Sequence, residues 1–272
     1  MGTRFAATIV IPLLDQVDEW LAQCVRSALA QTIRSEVVVV LSPKTRRSNL
    51  DLLAALKSEF DDLQILARDR LGFPGALNAG FEAASAARVG MLLSDDWLDP
   101  RAVELCLQHD ADIVSTGNLV YDAEGKTVFA GVGMIPRMQY FLECKTLERK
   151  AVHLQHFFLL RKSKLQEIGG ADESLGDFPG IDDFDMIWVL LEHGATVAIV
   201  EQALYNYRDH YGERLTLRSS EQATLVLGKI LDKHGVVEPE RAQLLRSHAK
   251  WFGRPIHIVF DELQKNKTLP AG

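Results

Sequence analysis

Val89-Gly90-Met91-Leu92-Leu93-Ser94-Asp95-Asp96-Trp97 runs an apolar, strand-like segment straight into two adjacent carboxylates. A hard divalent cation such as Mg²⁺ or Mn²⁺ takes oxygen ligands and commonly binds through one or two carboxylates plus substrate phosphates. An acid pair at a strand end suits that chemistry. The same pair also suits the cap of a helix starting near Trp97, a reading supported by Asp99-Pro100. Spacing leaves both open, and the rest of the chain has to decide.

Upstream of this segment, strand and helix signals alternate. Ala7 to Leu13 is a short apolar, β-branched run, and Trp20 to Gln31 places Leu21, Val25, Ala28 and Leu29 at helical spacing. Glu36 to Leu41 is a second strand, Leu50 to Phe60 a helix and Leu63 to Ala67 a third strand. Gly72 to Gly80 reads as a glycine-punctuated turn opening a helix through Ala87, and Val89 to Leu93 is the fourth strand. Strands separated by helices predict a mostly parallel sheet with helices on both faces. Ligands of such sheets bind beyond the carboxyl ends of the strands. Ser42, Gly72 and Asp95 follow three of these ends, so they are expected to converge on one cleft.

Downstream the pattern changes. Asp112 to Val120 and Lys126 to Phe129 flank Tyr121-Asp122-Ala123-Glu124-Gly125 as a hairpin. His156 to Leu160 reads as a strand, Ser163 to Ile168 as a helix closed by Gly169-Gly170, and Phe184 to His193 as an amphipathic helix stopping at Gly194. Val197 to Val200 is strand-like, and Leu225 to Lys233 and Arg241 to Trp251 read as terminal helices. The last residues, Lys265 to Gly272, are expected to fray.

Bulk properties exclude several classes. The 272 residues are 47% hydrophobic and 25% charged, ordinary globular composition with enough chain for a large core. A net charge of −7 disfavours a nucleic-acid partner bound through phosphate neutralisation. Three dispersed cysteines, Cys24, Cys106 and Cys144, fit neither a disulfide scaffold nor a cysteine zinc site, and point to a reducing cytoplasm. The N-terminus shows no signal-peptide pattern, and no apolar run reaches the roughly 20 residues of a bilayer span. Any contact with the inner membrane face is therefore expected to be peripheral. Leu225 to Leu231 is a candidate for it, although packing on the core is the plainer role.

Two further clusters carry chemistry. Gly180-Ile181-Asp182-Asp183-Phe184-Asp185 crowds carboxylates that raise one another's pKa, which suits a general base. The plain alternative is a run of acids favoured by a helix N-terminus. Tyr205-Asn206-Tyr207-Arg208-Asp209-His210 offers Arg208 and His210 to phosphate oxygens, with a solvated loop as the blander reading. His153 and His156 lack an HExxH-type partner and read as core or surface histidines. No GxGxxG follows the first strand, and neither GxxxxGK[ST] nor GxSxG occurs.

Taken in order, these segments resemble the inverting glycosyltransferases of family 2, which have the GT-A fold; the likeness runs roughly from Ala7 to His210. Thr8-Ile9-Val10-Ile11-Pro12 and Ser27-Ala28-Leu29-Ala30-Gln31-Thr32 are similar to the family's opening strand and helix. Gly72 to Gly80 is similar to its glycine/asparagine turn near the donor, and Leu92 to Pro100 to its DxD region. Asp112 to Gly125 resembles the following hairpin. Leu160-Arg161 with Ile168-Gly169-Gly170-Ala171-Asp172-Glu173 resembles the approach to the base motif. Asp182-Asp183 stands in the place of the family's Glu-Asp pair, and Tyr207-Arg208-Asp209-His210 in that of its closing YRxH segment.

The resemblance implies a GT-A domain over residues 1–210, with a nucleotide-sugar half to residue 100 and an acceptor half beyond it, and a helical extension over 211–272. It implies Asp183 as general base supported by Asp182, and a Mn²⁺ or Mg²⁺ ion on Asp95 with Asp96 and His210. Pro12, Leu13, Ser42, Gly72, Asn78, Ser94, Asp95 and Arg208 are the expected donor-binding residues, and Trp97 and Phe178 candidates to stack on the acceptor. The implied partners are a nucleoside-diphosphate-sugar and a sugar, lipid-linked or small-molecule acceptor. Trp251-Phe252 is a candidate dimer contact or acceptor-site closure.

Two departures bear on this. After the second strand the family carries an acidic segment that reads base and ribose, whereas this chain has Leu41-Ser42-Pro43-Lys44-Thr45-Arg46-Arg47, where Lys44, Arg46 or Arg47 are candidates to meet phosphate. Leu93 replaces the first acid of DxD. A degenerate relative that binds sugar nucleotide without turnover is one alternative these losses favour. A nucleotidyltransferase is the other, but Leu13-Leu14-Asp15-Gln16 lacks its glycine- and lysine-rich loop.

Overall fold

The computed structural model describes residues 4–68, 72–126, 135–176, 182–210 and 220–265. Its first half alternates as the periodicity predicts: β1 (Ala7–Leu13), α1 (Asp18–Leu29), β2 (Ser35–Leu41), α2 (Arg47–Glu59), β3 (Leu63–Ala67), α3 (Phe73–Ala83) and β4 (Arg88–Met91). There follow β5 (Trp97–Leu98), α4 (Ala102–Leu107), β6 (Ile113–Tyr121), α5 (Met138–Glu143), α6 (Leu147–His153), β7 (Gln155–Arg161) and α7 (Lys162–Glu167). A 3-10 turn (Glu173–Leu175) leads to α8 (Asp182–Glu192), β8 (Val197–Arg208), α9 (Ser220–Lys233), α10 (Glu240–Ala249) and α11 (Ile256–Lys265).

All eight strands lie in one sheet of order β3-β2-β1-β4-β7-β6-β8-β5. β1 to β4 are mutually parallel, and β6 and β8 run in the same direction; β7 and β5 oppose them. The sheet is thus mostly parallel and becomes mixed past β4. Successive residues of a strand point to opposite faces, and both faces are covered. Ile9 and Ile11 of β1, with Val37 and Val39 of β2, pack on one side under Leu21, Val25, Leu53 and Val103 from α1, α2 and α4. Val10, Val38 and Val40 pack on the other under Leu77, Phe81, Ile187, Leu227 and Ile230 from α3, α8 and α9. Two-sided burial explains the unbroken valine run of β2, which no half-exposed strand would need.

The glycine-rich segment differs from expectation. It is helix rather than turn from Phe73 onward, with Gly72 as the N-cap at φ 95°, a left-handed conformation that favours glycine. Gly80 lies inside α3, where a Cβ would come within 2.2 Å of a Val10 methyl, so its role is close helix–sheet approach. The hairpin turn after β6 forms, with Asp122 N–H donating to the Lys126 carbonyl (2.9 Å); residues 127–129, its expected second strand, lie outside the described residues. α9 packs on the main core, as Val226, Leu227, Ile230 and Leu231 are all buried there. No helix among the described residues is long and apolar enough to cross a membrane. Phe252 packs against the core and Trp251 lies beneath Lys250 (5.4 Å). Both side chains are half-buried.

Candidate active site

The acid pair after β4 is divided between two jobs. Residues Trp97 and Leu98 form β5, paired with Asn206 and Tyr205, so the expected helix cap at Asp95 does not exist. Asp96 is 1% exposed and turned inward. Its Oδ2 accepts from the Tyr205 hydroxyl (2.5 Å) and its Oδ1 from the Arg208 backbone N–H (2.7 Å). Asp96 was expected on the metal; the structure instead makes it a brace between the β4 end and β8. Burial and the adjacent Asp96 charge push the Tyr205 hydroxyl well above the usual phenol range, so it remains a donor.

Asp95 is less covered than Asp96, its side chain 18% exposed, with Oδ2 3.2 Å from His210 Nε2. His210 is buried and packs on Trp20 at 4.6 Å between ring centroids. Two ligands at right angles around a cation, each about 2.1 Å away, stand roughly 3 Å apart. The Asp95–His210 contact sets one oxygen and one nitrogen donor side by side. Among the described residues no three His, Cys, Asp or Glu side chains cluster, so any further ligands come from elsewhere.

Arg208 corrects another expectation. Instead of lying on a solvated loop it ends β8, 3% exposed. Its guanidinium donates to the Asp95 carbonyl (3.0 Å), the Ala123 carbonyl (3.1 Å) and Gln23 Oε1 (2.6 Å). It lies between Trp20 (5.0 Å) and Trp97 (4.7 Å). Through these three bonds it ties the Asp95 segment to α1 and to the turn after β6. Trp97, expected at the acceptor, is used in that sandwich and against Tyr121 (4.7 Å).

Asn78 is likewise committed. Its Nδ2 donates to the Ala171 carbonyl and to Glu173 Oε1 (both 2.9 Å), and its Oδ1 accepts from Ala171 N–H (2.8 Å). Expected near the donor, it instead fastens α3 to the Gly170-Ala171 turn, where a Cβ on Gly170 would overlap the amide.

Pro12 and Leu13 end β1, and the Leu13 carbonyl accepts from Ser42 N–H (2.8 Å), tying the β1 and β2 ends together. Beyond β2 and β3 opens a cavity of about 340 Å³ lined by Leu41, Ser42, Thr45, Leu50, Ala67 and Arg68. That size admits a small planar ligand. Of the nearby cations expected to meet phosphate, Arg46 pairs with Asp15 (3.0 Å) and Arg47 with Asp51 (2.9 Å). Ser94 lies 3.5 Å from Gln16 Nε2.

The second carboxylate cluster opens α8. Asp183 lines a separate cavity of about 200 Å³ with Val152, Phe158, Phe184, Ile187 and His248. Its Oδ2 meets His156 Nε2 at 2.8 Å and its Oδ1 accepts from Phe184 N–H (2.8 Å). Burial pushes the Asp183 carboxyl up, but the His156 hydrogen bond and the Phe184 amide outweigh it and hold the group below the usual range. Asp185, two residues on, faces the opposite way and is 1% exposed, bound to Lys233 Nζ (2.8 Å) and His234 Nε2 (3.1 Å) of the α9 end. Asp182 starts the helix, and Phe178 lies outside the described residues.

His156 had no motif to mark it. It joins the two clusters: its ring meets the Tyr205 ring at 5.3 Å, and Tyr205 in turn holds Asp96. An unbroken chain of contacts thus runs from Asp183 through His156, Tyr205 and Asp96 to the Asp95 segment.

Strand-end acids above a parallel half-sheet, with a further carboxylate across a mixed half-sheet, define the GT-A class of nucleotide-diphospho-sugar transferases. The chain belongs to glycosyl transferase family 2, whose model matches residues 8–169. It is 27% identical over 216 residues to a chondroitin synthase of Escherichia coli, covering 78% of this chain and 30% of that protein. It is 33% identical over 89 residues to a hyaluronan synthase of Pasteurella multocida, covering 33% of this chain and 9% of that protein. The chain therefore spans less than a third of the length of these curated relatives. Among solved structures, S. aureus TarS 1-349 in complex with UDP-GlcNAc superposes with a TM-score of 0.62 at 15% identity, over 90% of this chain and 69% of that one. A mannosyltransferase from Pyrobaculum calidifontis in complex with GDP-Man and Mn2+ gives 0.62 at 14% identity, over 99% and 77%. At such identities these two show the fold.

Proposed function

We propose that the protein is an inverting glycosyltransferase that moves a sugar from a nucleoside-diphosphate-sugar to an acceptor hydroxyl. The observation that carries this is the contact chain described above, which ties the Asp95 carboxylate beside a histidine to a second, ionised carboxylate in its own cavity. The cavity at Ser42 and Arg68 takes the nucleoside, and the Asp183 cavity takes the acceptor. Asp95 and His210 are the residues that would hold a divalent cation, and such an ion would supply charge neutralisation at the leaving diphosphate. A structural relative carrying Mn2+ supports that assignment.

Asp183 accepts the acceptor's hydroxyl proton as the acceptor oxygen attacks the anomeric carbon from the side opposite the diphosphate. The carbon–oxygen bond to the diphosphate breaks, its electron pair leaves with the nucleotide, and the configuration inverts. Arg208, Asp96 and Tyr205 touch neither substrate in this scheme; they hold Asp95 at a fixed place. The likeness to chondroitin and hyaluronan synthases favours a growing saccharide or a lipid-linked sugar as acceptor.

The test is nucleotide release from UDP-GlcNAc and GDP-mannose with Mn²⁺ or with EDTA, in wild type and Asp183→Asn. Metal-dependent release by wild type, lost in Asp183→Asn while nucleotide binding persists, is expected. Retained turnover in Asp183→Asn would reject the base. Binding of nucleotide without turnover in wild type would favour a degenerate sugar-nucleotide binder, the reading that Leu93 and the inward Asp96 support.

A further inference from the structure

His156 lines the acceptor cavity and has no part in the mechanism as stated so far. Its side chain is 18% exposed and that of Asp183 20%. The imidazole is flanked by the Phe158 ring (4.8 Å) and the Tyr205 ring (5.3 Å). Among the described residues two buried side-chain atoms lack a hydrogen-bond partner, Asn118 Oδ1 and His156 Nδ1. A neutral imidazole has one proton to place. On Nδ1 it would be a buried donor with nothing to accept it; on Nε2 it is satisfied by Asp183, and Nδ1 is left as a bare acceptor, the less costly omission. Burial and geometry therefore select the Nε2–H form.

That form constrains the carboxylate. Asp183 Oδ2 accepts from His156 and Oδ1 from its neighbour Phe184 N–H, so rotation about the side chain breaks one bond or both. Asp183's own backbone N–H adds a further hydrogen bond to this carboxylate.

The geometry points to His156 as the positioning residue of the acceptor base: its Nε2–H fixes Asp183 in one rotamer beside the cavity that both residues line. This rests on Asp183 being the base. During transfer the acceptor oxygen bonds to the anomeric carbon as its O–H bond breaks, the bond from that carbon to the diphosphate oxygen breaks, and the electron pair of that carbon–oxygen bond leaves with the diphosphate. The proton ends on Asp183, and His156 keeps its own. Around this pair, Tyr205 of β8 is bound to Asp96, and His248 of α10 is bound to Glu148 of α6 (3.2 Å). Asp185 of α8 is paired with Lys233 and His234.

The experiment compares wild type, His156→Ala, His156→Gln and Asp183→Asn, each first shown to be folded by its melting curve and to bind UDP or GDP with Mn²⁺. Two readouts follow. The first is the pH profile of Mn²⁺-dependent nucleotide release from UDP-GlcNAc or GDP-mannose. His156→Ala is expected to lower turnover about tenfold with donor KM within about twofold, and to move the acid limb to higher pH, because burial of Asp183 then loses the largest of the groups that oppose it. His156→Gln, whose amide N–H can reach the same oxygen, restores the limb. An unmoved limb and full turnover in His156→Ala would overturn the inference. The second readout needs no substrate: imidazole ¹⁵N spectra assign the His156 resonances by their loss in His156→Gln. They are expected to show the Nε2–H form, with the Nε2 shift altered in Asp183→Asn. An Nδ1–H form overturns the inference whatever the turnover. Release persisting in Asp183→Asn rejects base and positioning residue together; release lost there but unchanged in His156→Ala rejects His156 and leaves the base standing.

Discussion

His257 directs both its backbone N–H (2.9 Å) and its Nδ1 (2.6 Å) at one carboxylate oxygen of Asp209. Asp209 follows the latch residue Arg208, and its side chain is fully buried, so the start of α11 is fastened to the end of β8. His257→Ala keeps the amide and loses the ring. Its expected cost is about 1–2 kcal/mol, seen as a melting temperature lower by roughly 2–6 °C. An unchanged melting curve would show that the ring contributes nothing to holding α11.

Asp95 and Asp96 are neighbours with opposite expected phenotypes. Asp95→Asn should remove most of the Mn²⁺-dependent gain in thermal stability with UDP or GDP, with little effect on the unliganded protein. Asp96→Asn should destabilise the unliganded protein by about 1–3 kcal/mol, because a buried acceptor of two hydrogen bonds loses its charge. Its Mn²⁺-dependent gain should survive. Reversal of this pattern would return Asp96 to the metal.

Arg208→Lys keeps the charge and loses the fork. Three directed hydrogen bonds and the stacking between two indoles go with it, at an expected cost of about 2–4 kcal/mol. Urea unfolding measures this directly, and a loss below about 0.5 kcal/mol would contradict the latch role.

His234 makes stability depend on pH. Its side chain is 1% exposed, stacked on Trp188 at 3.9 Å and bound to Asp185 and Glu192. Burial lowers its pKa, but its hydrogen bonds to Asp185 and Glu192 outweigh this and raise it above its ordinary value of 6.5. Since the folded value exceeds the unfolded one, the stabilisation is complete below about pH 6.5 and fades as pH rises through the folded value. The urea stability gap between wild type and His234→Asn should therefore be widest near pH 6 and shrink above neutrality. A gap that widens with rising pH would reverse the sign and refute it.

Most of the sheet was legible because two-sided burial writes itself as runs such as Val37-Val38-Val39-Val40. The end of β8 was not. Tyr205-Asn206-Tyr207-Arg208 is polar by residue type, and its burial depends on Trp20, Gln23 and Asp96, which are distant in sequence. α4, α5 and α6 are six or seven residues long, too short for a helical period to stand out. Asp95 and Asp183 could be found by motif order, since each follows a recognisable element. His156 could not: its partner lies 27 residues away, at a distance set by how β7 and α8 pack.

The Asp185 anchor means that the proposed base, Asp183, is held from behind. Lys233 and His234, at and just past the end of α9, grip α8 on the side away from the acceptor cavity, and Lys233 also reaches Asp172 (2.8 Å) ahead of that helix. A chain cut before Ser220 would retain every side chain assigned to metal, donor and proton transfer. It would still lose the fastening that sets where Asp183 stands. The placement of Asp183 therefore depends on residues of α9 that meet no substrate in the proposed scheme and that lie, like Asp183 itself, beyond the family-matched residues 8–169.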